Sequence, residues 1–319
     1  MLTFSAATLA GFVLVIWGAD RFVVGAGGGA RNLGVPPLLI GLTLVGMATS
    51  GPEIFVSVAA ALNGEPELAM GNAIGSNIAN IGLVLGTTSL LMPVVVRSAT
   101  LRREMPALLA VTLLLVMVFL NRTITRPEGL LLLAGLVVLL YWLIVLSSRI
   151  DPEDPIAAEI GAELGREISM PVAATWFVVG LGVLLGGSHL LVWGAHNLAA
   201  ELGVSDLVIG LTLVAVGTSF PELAVSVVSA LKGEHDLALG NIIGSNMFNS
   251  LAVVGIAAAI RPATLEPDLL VLHMPVMIGM TLMLFAIAYN LSGKSTIGRA
   301  EGALMLTSFF AYHAYLALR

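Results

Sequence analysis

With 319 residues, 58% of them hydrophobic and only 11% charged, the chain would expose too much apolar surface in water, since soluble domains run near a quarter charged. Lipid is the expected solvent and no nucleic-acid partner is expected, the net charge of −6 says little because the acidic residues concentrate in one loop, and the absence of cysteine excludes disulfides, thiolate metal sites and thiol nucleophiles. Ten apolar stretches follow, near 4–31, 35–62, 67–91, 104–120, 127–148, 171–199, 204–231, 236–260, 269–290 and 298–317. A helix needs about 20 such residues to cross about 30 Å of hydrocarbon. The runs are continuous, whereas barrel strands would alternate, so an all-α polytopic bundle is expected.

The first stretch has no basic start or small-residue cleavage site and reads as part of the fold. The segment Arg149 to Glu167, with Asp151, Glu153, Asp154, Glu159 and Glu163, is polar and too short for a domain. It is expected to be an acidic cytoplasmic linker over 149–168, between a first five-helix unit (1–148) and a second (169–319). Placing Arg31, Arg97, Arg102, Arg103, Arg149, Arg166, Lys232, Lys294 and Arg299 inside, and Arg122, Arg126, Arg261 and Arg319 outside, favours both termini outside an inner (plasma) membrane.

The chain repeats itself. Residues 40–58, IGLTLVGMATSGPEIFVSV, return at 209–227 as IGLTLVAVGTSFPELAVSV, and GNAIGSNIANI at 71–81 returns as GNIIGSNMFNS at 240–250. The offset from Glu53 to Glu222, and from Ser76 to Ser245, is 169 residues in both cases. Five spans per copy, an odd number, put the second copy into the membrane upside down. Inverted repeats mark secondary transporters, with the site near the midplane where the halves meet.

Glu53 and Glu222 fall within apolar helices, where a carboxylate survives only with a partner. Neither has a Lys or Arg near it in its own helix, so a bound cation, or a proton in its absence, is the expected counter-charge. Thr49, Glu53 and Ser57 share one helix face, as do Thr218, Glu222 and Ser226. Pro52 and Pro221 cannot donate to the carbonyls of Ala48 and Gly217, which opens those turns. Ser76 with Asn80, and Ser245 with Asn249, again fall on one face. The set is all oxygen, which suits a hard ion: calcium takes 6–8 oxygens, while zinc and copper want sulfur or imidazole. Asn72 and Asn241 read as structural rather than as ligands, the glycine runs at 25–30 and 186–187 as close helix contacts, and the five histidines as structural or surface groups.

The paired G-T-S-x-P-E and G-N-x-x-G-S-N motifs resemble the alpha repeats of the cation/calcium exchanger superfamily, in particular the short prokaryotic sodium/calcium exchangers. The resemblance implies ten transmembrane helices in two inverted five-helix repeats, with the first and sixth helices sliding against a four-helix centre. It implies that Glu53 and Glu222 bind calcium and sodium in competition. Thr49, Ser50, Ser76, Asn80, Thr218, Ser219, Ser245 and Asn249 would add ligands, with backbone carbonyls near Gly46 and Ala215. No resident cofactor is expected; calcium and sodium are bound as transported ions by a chain functional as a monomer in the bilayer. The first motif departs from the family in placing Ala48 before Thr49 and Gly51 before Pro52. Asn249 stands where potassium-dependent relatives carry Asp, so no potassium requirement is expected.

Calcium/proton antiport is the alternative on the same fold, although the proton-coupled G-N-A-x-E motif is absent. A channel would close its ring by oligomerising, whereas this chain completes its symmetry internally. No H-E-x-x-H, G-x-G-D pair or matched Ser-His pair supports an intramembrane enzyme.

Overall fold

The computed structural model describes residues 1–33, 49–96, 99–147, 168–289 and 295–318. Among them are ten helices: α1 (Leu2–Asn32), α2 (Gly51–Asn63), α3 (Pro66–Leu91), α4 (Ala99–Phe119) and α5 (Arg126–Ser147), then α6 (Met170–Leu202), α7 (Asp206–Leu231), α8 (His235–Ile260), α9 (Leu269–Ala288) and α10 (Arg299–Leu318). The acidic segment expected to link the halves lies outside the described residues apart from Ile168, and so do Gly46 and Ala48.

Seven of the helices are long and apolar enough to cross a membrane, and α4 adds a shorter apolar run, Glu104–Phe119. Burial sorts them into layers. α3 and α8 are 94% and 83% buried over their apolar windows, whereas α1, α5 and α6 are only 29%, 22% and 22% buried. The two central helices carry the G-N-x-x-G-S-N motifs, and the outer ones present apolar side chains to lipid. The fold is a ten-helix membrane bundle of two inverted five-helix repeats.

Corresponding residues behave alike in both halves. The repeat register runs on to Glu104-Met105-Pro106 and His273-Met274-Pro275, again 169 residues apart, and Glu104 and His273 are both buried. Further along, the hydroxyls of Thr112 and Thr281 each donate to the carbonyl four residues back. A π-helical segment widens α3 at Asn80–Leu85 and α8 at the equivalent Asn249–Val253. Such widened turns recur at functional sites.

α1 and α6 pack along their lengths on glycine. A methyl group on Gly11 would lie 2.6 Å from the Leu191 amide, on Gly18 2.6 Å from that of Leu184, and on Gly25 2.2 Å from that of Phe177. Seven residues forward on α1 is seven back on α6, so the helices are antiparallel. Gly180, Gly187 and Gly194 answer from the other side, against Phe22, Val15 and Thr8. The expected close approach is therefore present at Gly25, Gly28 and Gly187, while Gly29 and Gly186 have open space beside them.

Two short antiparallel ribbons join the halves. β1 (Val94–Val96), after α3, pairs with β4 (Ser295–Ile297), before α10, with Val95 opposite Thr296. β2 (Thr123–Ile124), before α5, pairs with β3 (Ala263–Thr264), after α8.

Candidate functional site

The site forms where α2 begins and α7 breaks, beside α3 and α8. Pro52 and Pro221 sit in the first turn after each break, where a missing N–H is harmless to the new helix but ends the old one. The residues at the breaks, Ser50 and Ser219, have nearly the same backbone angles (φ −79°, ψ 4° and φ −82°, ψ 4°). One duplicated sequence thus makes the same turn twice. Each turn carries a buried serine hydroxyl and, three residues on, a buried glutamate.

All ten side chains singled out from the sequence are buried, Thr49 being the most exposed at 7%. Several meet across the repeat boundary. Thr49 of the first repeat lies 3.2 Å from the Ser245 hydroxyl of the second, and Ser76 of the first lies 3.4 Å from Thr218 of the second. The Ser245 hydroxyl donates to Glu222 Oε1 at 3.3 Å. Glu53 and Glu222 are close enough for their charges to repel.

What the site lacks is as informative. Neither Glu53 oxygen has a hydrogen-bond partner, although the hydroxyls of Ser76 and Thr218 are its polar neighbours. Glu222 Oε2, Ser50 Oγ, Ser219 Oγ, Asn80 Oδ1 and both amide atoms of Asn249 are likewise buried without a partner. Burying a carboxylate unpaired costs several kcal/mol. Among the described residues no Lys or Arg is buried, so no fixed cation compensates. Seven unpartnered oxygen atoms, from carboxylates, hydroxyls and amides, and no buried Lys or Arg among the described residues make a set that fits a hard cation.

Two placements refine the sequence expectations. The Ala215 carbonyl accepts from the Ser219 N–H at 3.1 Å, and the Thr218 hydroxyl, whose single proton is directed to the nearer Asn72 Oδ1 at 3.2 Å, lies 3.3 Å from it. Ser57 and Ser226, on the same faces as the glutamates, accept hydrogen bonds from Asn72 and Asn241. The serine faces therefore support the site from behind.

A second polar layer was not legible in advance. Asn80 donates to Asn246 Oδ1 at 3.0 Å, Asn77 donates to Ser250 at 3.0 Å, and Asn246 donates to the Asn77 carbonyl at 3.4 Å. Asn77 and Asn246 are the final residues of the two G-S-N triplets. Their repetition was the available signal, but helical spacing alone does not say that they point at each other.

At Gly51, the departure in the first motif, an added methyl group would meet nothing within 4 Å, and its counterpart Phe220 is 47% exposed. The missing side chain removes outer surface and leaves the carboxylates untouched. On the other half Phe12 of α1 packs directly on Gly217, beside the kink of α7.

A family model described as sodium/calcium exchanger protein matches residues 4–145 and 172–318. The candidate antiporter CaxA of Alkalimonas amylolytica is 46% identical over 316 residues, covering 99% of each chain. The sodium/calcium exchanger MaX1 of Methanosarcina acetivorans is 31% identical, covering 95% of each. Among solved structures, the sodium-calcium exchanger NCX_Mj soaked with sodium and strontium superposes with a TM-score of 0.68 at 31% identity over 98% of both chains.

Proposed function

Since the chain belongs to the sodium/calcium exchanger protein family, we propose that it exchanges calcium for sodium across the membrane, with Glu53 and Glu222 binding the two ions in competition. The observation that carries this reading is the pair of fully buried, symmetry-equivalent carboxylates, three of whose four oxygens have no hydrogen-bond partner. Two carboxylates neutralise one Ca²⁺, or hold two or three Na⁺ with little excess charge. An ion-free site carries charge through a low-dielectric interior, which opposes its crossing. Competition then couples the two fluxes without further machinery.

Thr49, Ser50, Ser76, Asn80, Thr218, Ser219, Ser245 and Asn249 supply the neutral oxygens, and their burial beside the carboxylates supports the assignment. The Gly46 and Ala215 carbonyls complete it, the latter through the lone pair that the Ser219 N–H leaves free. The amide at Asn249 adds no third negative charge, which fits independence from potassium. The α1 and α6 pair moves against the four helices that hold the site, exposing it first to one side and then to the other. The working unit is one chain, divided at 149–168 by a cytoplasmic linker, lying in the inner membrane with both termini outside.

The test is ⁴⁵Ca uptake into sodium-loaded vesicles diluted into sodium-free medium. Wild-type uptake should require the outward sodium gradient and fall by more than about a hundredfold in both Glu53→Gln and Glu222→Gln, consistent with losing one partner of a buried charge interaction. Uptake driven equally by a proton gradient would replace sodium coupling with calcium/proton antiport.

A further inference from the structure

Two asparagines outside the expected ligand set tie the repeats together in a pattern with chemical consequences. The Nδ2 group of Asn72 lies 3.3 Å from the Glu53 backbone carbonyl and 3.0 Å from the Ser57 hydroxyl. Its Oδ1 lies 3.2 Å from the hydroxyl of Thr218, in the opposite repeat. Asn241 repeats this in mirror fashion: Nδ2 is 3.4 Å from the Glu222 carbonyl and 3.1 Å from Ser226, and Oδ1 is 2.9 Å from the hydroxyl of Thr49. Both asparagines are buried, at 0% and 3% exposure.

The direction of every bond in this chain follows from one fact. A backbone carbonyl can only accept, so the amide edge facing Glu53 or Glu222 must be the NH₂ group. The carbonyl edge then faces the threonine, and an amide oxygen can only accept, so the threonine must donate. A hydroxyl has a single proton. Once it is spent on the asparagine, Thr49 and Thr218 offer only lone pairs to the rest of the site. A hydroxyl left to rotate would aim its proton at an anionic site and become a donor to the carboxylates, which competes with binding a cation there.

We propose that Asn72 and Asn241 are positioning residues for ion binding: each amide takes the proton of the opposite repeat's threonine, fixing that hydroxyl as a cation acceptor, while its NH₂ holds the glutamate turn of its own repeat. The asparagines themselves touch no ion. They make the affinity of one half's carboxylate depend on the other half's threonine, so the site is assembled only when the repeats are in register. This rests on the exchange function proposed above.

The experiment measures sodium-driven ⁴⁵Ca uptake in vesicles for Asn72→Leu, Thr218→Val and the double variant, each normalised to the folded protein recovered. The wild type is run alongside. Each single variant is expected to raise the calcium KM by about tenfold, the scale of a hydrogen bond to an ion-binding group, with a smaller change in maximal rate. The double variant should fall well short of the product of the two single effects, because the part of the Asn72 effect that passes through that hydroxyl is already lost in Thr218→Val. Thr218→Ser, which keeps the hydroxyl, should restore the wild-type KM. Multiplying effects in the double variant, or a change confined to maximal rate and yield, overturns the proposal in favour of simple packing. If the leucine variant does not accumulate, Asn72→Ser with the same partners runs the same cycle, and Asn241 with Thr49 repeats it on the mirror side. A wild type without sodium-driven calcium uptake would instead sink the exchange function, which separates the two failures.

Discussion

The α1/α6 pair and the four helices α2, α3, α7 and α8 solve opposite problems with the same duplicated sequence. The pair meets along a glycine stripe of backbone against backbone, with Gly11, Gly18 and Gly25 on one helix and Gly180, Gly187 and Gly194 on the other. Contacts of that kind are close but carry little directional bonding, so they hold two helices as one body. The four-helix centre is the reverse: its helices are fastened by buried hydrogen bonds from Asn72, Asn77, Asn80, Asn241 and Asn246. Directional bonds in a dry interior fix geometry, because breaking one leaves an unsatisfied group. A glycine-packed body and a hydrogen-bonded body can therefore be told apart by what joins their parts.

That contrast can be broken most severely at the stripe. Gly187→Val should lower stability by about 3 kcal/mol, because its Cβ would sit 2.8 Å from the Leu14 side chain and 2.9 Å from the Val15 amide, and backbone cannot give way. Gly186→Val, one residue away with nothing within 4 Å, should change thermal unfolding in detergent hardly at all. Equal losses at both positions would mean that the stripe is not the contact that matters. A smaller effect belongs to the braced centre. Ser226→Ala removes an acceptor for Asn241 and a donor to the Ala238 carbonyl, and should cost about 1–2 kcal/mol of unfolding free energy. A result within error of wild type would count against bracing.

The smallest effect lies where the two bodies touch at one end of the bundle. His196 of α6 bonds Asp206 at 2.9 Å and faces Glu65, in the turn between α2 and α3, at 3.5 Å. Burial raises the Glu65 carboxyl above its ordinary range, opposed by the His196 charge and assisted by Asp206. The fold therefore favours protonated Glu65, and that stability is complete at acid pH and lost as pH rises through the raised value. Glu65→Gln, neutral at every pH, should flatten this decline, with a gain of about 1 kcal/mol or less near neutrality. A melting temperature whose pH slope is unchanged would remove Glu65 from the account.

The fold was largely legible because the membrane restricts the options to helices, and because the 169-residue register repeats both turns. Pro52 and Pro221 announced the breaks, and the isolated carboxylates announced the site. Three features were not legible for definite reasons. The π-helical segments at Asn80 and Asn249 add one residue to a turn, which a pattern of apolar residues does not register. The stripe spaced by sevens was hidden by an abundance of other glycines, of which Gly29 and Gly186 have open space where a side chain would stand. The asparagine ties depend on which edge of an amide faces which neighbour, and sequence spacing carries no such direction.

The ribbons say something about the duplication. Each strand finds its partner in the opposite half: β1 with β4, β2 with β3. A solitary half would carry two bare edges, with unclaimed amides and carbonyls at both ends of its helices. A second copy of that half, inserted upside down beside the first, would supply every missing edge. One chain that carries both copies, facing opposite ways, closes all four of these edges within itself. Carrying both copies in one polypeptide also leaves equivalent positions free to differ, as Ala48 and Gly217, or Gly51 and Phe220, do.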